Sequence, residues 1–180
     1  MGIGIRNSLK RFRLTFCFIV VCLALWCIWI LPGILSAESI QADRIVIVKS
    51  KRILLLFKEG EILRAYVIAL GQQPDGHKTA AGDKKTPEGT YRIDSRNARS
   101  KFHKSLHISY PNRRDVRTAR KLGIAPGGGI MIHGLTEDMK EIAELHRFMD
   151  WTDGCIAVTN EEIDEIWELV PVGTPIEIKP

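Results

Sequence analysis

Beyond residue 43, short apolar runs alternate with polar breaks. Residues 44–49 (RIVIVK) and 52–58 (RILLLFK) are apolar and rich in branched side chains between single basic or polar ends. After Glu59-Gly60 the pattern resumes over 62–70. Runs of this kind, bounded by turn formers, predict strands. Residues 71–86, with Gly, Lys, Asp and Pro74, predict a loop, and Thr86-Pro87-Glu88-Gly89 places Pro and Gly where a tight turn needs them. Further strands are expected at 90–94, 106–110, 130–133 and 174–178, with Cys-Ile-Ala-Val at 155–158 strand-like. A helical period replaces the strand period twice. Residues 137–149 put Ile142, Leu145 and Met149 on one side. Thr159-Asn160-Glu161-Glu162 is a capping box, followed by Ile163, Ile166, Trp167 and Val170 at helical spacing. The fold class this predicts is β-rich: mainly β, with two packed helices.

Upstream the pattern changes. Residues 14–35 hold no charged side chain, and Arg6, Lys10, Arg11 and Arg13 precede them without an acid. A basic flank before an apolar run is an export signal. Ala37 offers a small residue before a cut, while the run is also long enough to span a bilayer with the N-terminus inside. The organisation expected is a signal peptide or N-terminal membrane anchor over 1–37, a linker over 38–43 and one domain over 44–180. That domain would stand on the extracytoplasmic, periplasmic side of the cell envelope, either held in the cytoplasmic membrane through 14–35 or released.

Charge adds little beyond this. The net charge is +5, and the leader carries most of it, so the balance gives no reason to expect a nucleic-acid partner. Between Arg92 and Lys121 ten basic residues face only Asp94 and Asp115. A solvated face explains that run first, and a surface for an anionic polymer second. Cysteine changes the picture more. Cys17, Cys22 and Cys27 lie in the apolar run, so Cys155 is the one thiol of the remaining chain and no disulfide can form there. A lone exported thiol is either reactive or an inert small hydrophobe.

The sequence around Cys155 favours reactivity. In Thr152-Asp153-Gly154-Cys155 a nucleophile follows a glycine at the start of a strand, where backbone N–H groups can point at a developing oxyanion. A thiol attacks as thiolate and needs a base. Among the five histidines, His133 ends an apolar strand after Pro126-Gly127-Gly128-Gly129 and precedes Gly134. His146 falls on the expected first helix and His77 in a loop. His103 and His107 have HxxxH spacing, without the Glu-bearing helical motif of a zinc site.

Three motifs in order resemble the L,D-transpeptidase (YkuD-type) catalytic domain. They are Gly82-x-x-x-Thr86-Pro87-x-Gly89-x-Tyr91-x-Ile93, Ile132-His133-Gly134 and Thr152-x-Gly154-Cys155-Ile156. The resemblance spans about residues 43–178. It implies an acyltransferase acting on peptidoglycan stem peptides without metal or organic cofactor. Cys155 would be the nucleophile and His133 the proton donor and acceptor, with the Gly134 carbonyl orienting the imidazole. Asp153, Gly154 and Cys155 would supply oxyanion N–H groups, and Thr152 would lie beside the substrate. Two departures stand out: Asp153 where the family often has His, and Ala157 where it often has Arg or Asn. Residues 102–112 and Asp150-Trp151-Thr152 look like a subgroup in which some relatives hydrolyse a peptidoglycan–lipoprotein crosslink. Hydrolysis, an envelope lipoprotein as partner and an inactive envelope-binding module are therefore the alternatives to transfer.

Overall fold

The computed structural model describes residues 40–142 and 145–180. The apolar run 14–35 and the expected cut at Ala37 lie outside them. Among the described residues no helix is long and apolar enough to cross a membrane.

Eight strands form one sheet: β1 (Arg44–Val48), β2 (Ile53–Lys58), β3 (Glu61–Val67), β4 (Gly89–Ser100), β5 (His103–Ile108), β6 (Met131–His133), β7 (Ile156–Ala157) and β8 (Pro175–Lys179). Their order is β3-β2-β1-β8-β4-β5-β6-β7. The apolar runs read from sequence are the first three strands, joined antiparallel. β8 returns to lie between β1, parallel to it, and the start of β4. β4 is far longer than the five residues expected. Its first half pairs with β8 and its second half with β5, so it carries the sheet from one half to the other. Isoleucines and leucines of alternate positions, Ile45, Ile47, Leu54, Leu56, Ile93, Leu106 and Ile132 among them, close the core.

Among the described residues two α-helices are present, but only one is where the period predicts it. The capping box at Thr159 starts α2 (Asn160–Leu169), which buries Ile163 and Ile166; Val170, buried too, caps its end. The other, α1 (Arg113–Leu122), lies within the basic run that was read as a charged face. Its ends are well marked: the Asn112 side chain accepts from the N–H of Arg114 and Asp115, Asp115 accepts from Asn112 N–H, and Gly123 closes it with φ 68°. The helix expected at 137–149 is instead two 3₁₀ segments, Glu137–Ile142 and Leu145–Phe148. Leu145 and Met149, two members of its supposed apolar stripe, are exposed and have no core to face. By residue 150 the chain must already be back at the sheet, where Asp150 accepts from Leu70 N–H at 2.9 Å and from the Arg52 guanidinium.

Candidate active site

β6 and β7 pair in parallel, Ile132 with Ile156 and His133 with Ala157. Cys155 therefore precedes β7 by one residue and stands diagonal to His133 across the pair, on the same face as its partner Ala157. This is how the sheet brings together two residues far apart in sequence.

The segment that carries Cys155 is held from three sides. Thr152 N–H donates to Leu70 O at 3.1 Å, and Gln72 N–H to Thr152 O at 3.0 Å. Gly71 N–H donates to the hydroxyl of Thr86, a fully buried side chain of the Thr-Pro-x-Gly turn. Gly154 has φ 124°, and a Cβ there would stand 2.5 Å from Lys85 O, so the same turn packs on the bend before Cys155. The Thr-Pro motif thus acts as a brace under the cysteine loop. Lys49, itself buried, secures the brace by donating to Thr86 O, Gly76 O and the Glu88 carboxylate.

Thr152 is turned inward. Its hydroxyl donates to Cys155 O at 2.7 Å and accepts from Gly154 N–H at 3.1 Å. The side chain expected beside the substrate is buried and shapes the loop. Gly154 N–H, expected at the oxyanion, is thereby occupied. Of the expected set, the N–H groups of Asp153 and Cys155 remain.

His133 is 1% exposed. Phe102 stacks on its ring at 4.2 Å and Trp151 meets it edge-on at 5.9 Å. Its Nδ1 lies 2.7 Å from Gly134 O. A carbonyl can only accept, so Nδ1 carries the proton and Nε2 is the basic nitrogen. Burial lowers the imidazole pKa to about 4, with Gly134 O opposing and His146 and Lys101 adding to the fall. Burial also pushes the Cys155 thiol up; Asp153 raises it further, while the Met131 N–H, Lys78 and Lys101 counter. At neutral pH the two groups are a thiol and a neutral imidazole, not an ion pair. The thiol donates to Gly129 O at 3.6 Å, from the glycine turn leading into β6.

The other histidines have separate partners. His103 pairs with Asp164, His107 with Asp94, and His77 with Asp115. These three do not converge with His133, and among the described residues no three of His, Cys, Asp and Glu are grouped as metal ligands. Ala157, one of the two departures from the family pattern, is 0% exposed and bridged to Ala69, so it offers no open surface. Asp153, in contrast, is exposed beside the thiol. Phe102, Trp151 and Asn160 were not singled out as site residues from sequence. Trp151 could have been, since it adjoins the Thr-x-Gly-Cys motif.

A thiol and a backbone-oriented imidazole thus stand on neighbouring segments of one sheet. The chain belongs to the L,D-transpeptidase catalytic-domain (YkuD) family, whose model matches residues 42–178. It is 35% identical over 132 residues to YafK of Escherichia coli (strain K12), covering 70% of this chain and 46% of YafK. Bd1075 of Bdellovibrio bacteriovorus superposes with a TM-score of 0.53 at 25% identity, covering 79% of this chain and 49% of that one. Pgp2 of Campylobacter jejuni, a helical cell shape determining protein, shares the fold with a TM-score of 0.57 at 24% identity, over 80% of this chain and 52% of that one. The chain spans about half the length of these relatives.

Proposed function

We propose that this protein is a peptidoglycan L,D-transpeptidase working through a Cys155 thioester. Cys155 Sγ attacks the carbonyl of the diamino-acid residue in a tetrapeptide stem, and its proton passes to His133 Nε2. Asp153 and Cys155 N–H groups receive the charge that builds on the carbonyl oxygen. The C–N bond to the terminal D-alanine breaks, and His133 returns the proton to the leaving amine. An amine of a second stem then attacks the thioester, forming an amide and freeing the thiol. The single observation behind this reading is the Nδ1 bond to Gly134 O, which keeps Nε2 as a free base on the strand beside the cysteine.

Water in place of the amine gives hydrolysis of a stem or of a peptidoglycan–lipoprotein crosslink. Exposed Asp153 favours this second reading, because its charge repels an acceptor carboxylate near the thioester. The setting is the extracytoplasmic side of the envelope, with residues 14–35 as anchor or cleaved leader. Incubation with purified peptidoglycan fragments and mass analysis of products tests both readings. Crosslinked product supports transfer, and stems shortened by one alanine support hydrolysis. No change with any fragment, together with no labelling of Cys155 by an electrophile at alkaline pH, would leave an inactive binding module.

A further inference from the structure

One peptide group lies at the centre of the site and is held at both ends. Its carbonyl is Gly134 O, which accepts from His133 Nδ1 at 2.7 Å. Its N–H is that of Leu135, which donates to Asn160 Oδ1 at 2.7 Å. A peptide unit is planar, with C=O and N–H pointing in opposite directions, so fixing one end fixes the aim of the other. From the geometry we infer that Asn160 is a positioning residue for the base: its side-chain oxygen sets the 134–135 peptide that aligns His133.

Three further observations fit. Asn160 is the first residue of α2, whose start is locked by the Thr159–Glu162 capping box, so its side chain projects from a rigid place. The approach is tight enough to require glycine at 134, where a Cβ would come within 2.5 Å of Asn160 Oδ1 and 2.9 Å of Ile163. And Asn160 Nδ2 is buried without a hydrogen-bond partner. A buried orphan donor is unfavourable, and a residue kept only for packing would not need it. Aspartate would also accept from Leu135 N–H, but would put an unpaired carboxylate oxygen in place of Nδ2 and set a negative charge one peptide away from the imidazole. Asparagine gives the same acceptor without charge, which suits a histidine that must stay neutral until it takes the thiol proton. The Leu135 N–H···Oδ1 bond also polarises the peptide and strengthens Gly134 O as an acceptor.

The inference rests on the reading of His133 as the base for Cys155, but its test does not depend on any peptidoglycan substrate. The full-length chain, labelled with 15N-histidine, is compared with Asn160→Leu and Asn160→Asp, and His133→Ala identifies the signal. Alkylation of Cys155 by iodoacetamide is timed across pH in each. The natural chain should show the Nδ1–H tautomer. Asn160→Leu, similar in volume but without an acceptor, should show mixed tautomers and lose roughly tenfold or more in base-dependent alkylation. Asn160→Asp should keep the tautomer and titrate His133 at higher pH, against the lowering influence of His146 and Lys101. A natural tautomer and rate in Asn160→Leu would overturn the inference. Should that variant fail to fold, an unmoved His133 titration in Asn160→Asp would overturn it equally. The expected tautomer change in a protein inert toward every peptidoglycan fragment would instead retain the inference and reject the proposed substrate.

Discussion

His133 and Cys155 both favour their uncharged forms, and each has a consequence in pH. Burial between Phe102 and Trp151 lowers the imidazole to about 4 from an ordinary value near 6.5. The folded pKa is below the unfolded one, so the unfolded chain binds this proton first as pH falls. Stability from the neutral histidine is complete above about pH 6.5 and is lost on the way down to about 4, a loss on the order of 3 kcal/mol. His133→Phe should flatten that part of the stability curve in denaturant titrations at pH 4.5 and 7.5. An equal slope in both proteins would assign the acid sensitivity to other groups. The thiol argues in the other direction. Exposed Asp153 raises its pKa, so Asp153→Asn should lower it and speed alkylation of Cys155 at pH 8 by a few-fold, with less effect in high salt. An unchanged rate would mean that solvent screens the carboxylate fully from the sulfur.

At the scale of elements, the cysteine loop depends on the Thr-Pro turn more than on its own residues. Thr86→Val keeps the shape and removes the acceptor of Gly71 N–H in a fully buried place. Such a loss costs about 1–3 kcal/mol. The same change should reduce Cys155 acylation by a stem peptide beyond what the shift in Tm explains, since Gly71 bridges Thr152. Equal falls in Tm and acylation would make Thr86 a purely structural residue. These elements also show what a sequence can reveal. Cys155 and His133 stand out in the sequence as candidates because a glycine lies beside each, and the apolar strands because alternation marks one buried face. α1 was not, since only Asp115 and Ala119 of its ten residues are buried and no apolar stripe forms. Asn112, Asp115 and Gly123 were its available signals. Residues 137–149 mislead in the opposite way, having a helical stripe whose Leu145 and Met149 lie exposed. The peptide link from Asn160 to His133 runs through a hydrogen bond between Leu135 and Asn160, residues 25 apart, with no periodicity to announce it.

For the whole molecule, chain order and sheet order differ at one decisive place. The last strand, β8, lies in the interior of the sheet between the first strand and β4. The parallel β1–β8 pair cannot form until residues 175–179 are available, and Ile176 and Ile178 are buried in it. Burying two isoleucines contributes ~3–6 kcal/mol, against a typical domain stability of about 5–15 kcal/mol. β8 also separates β1 from β4, so its loss divides the core of residues 42–178 in two. Removing residues 175–180 should therefore abolish folding, leaving no cooperative thermal transition. Residues 1–38, in contrast, lie before the family match at residues 42–178. A protein starting at Ser39 should unfold in one transition near the Tm of the full chain and keep iodoacetamide labelling of Cys155. It should move from the membrane fraction to the soluble fraction, as the apolar run 14–35 leads one to expect. Thermal denaturation and fractionation of both truncated proteins check this directly. A folded protein without β8 would contradict the central role of that strand, and membrane retention without residues 1–38 would assign attachment to the catalytic domain's own surface.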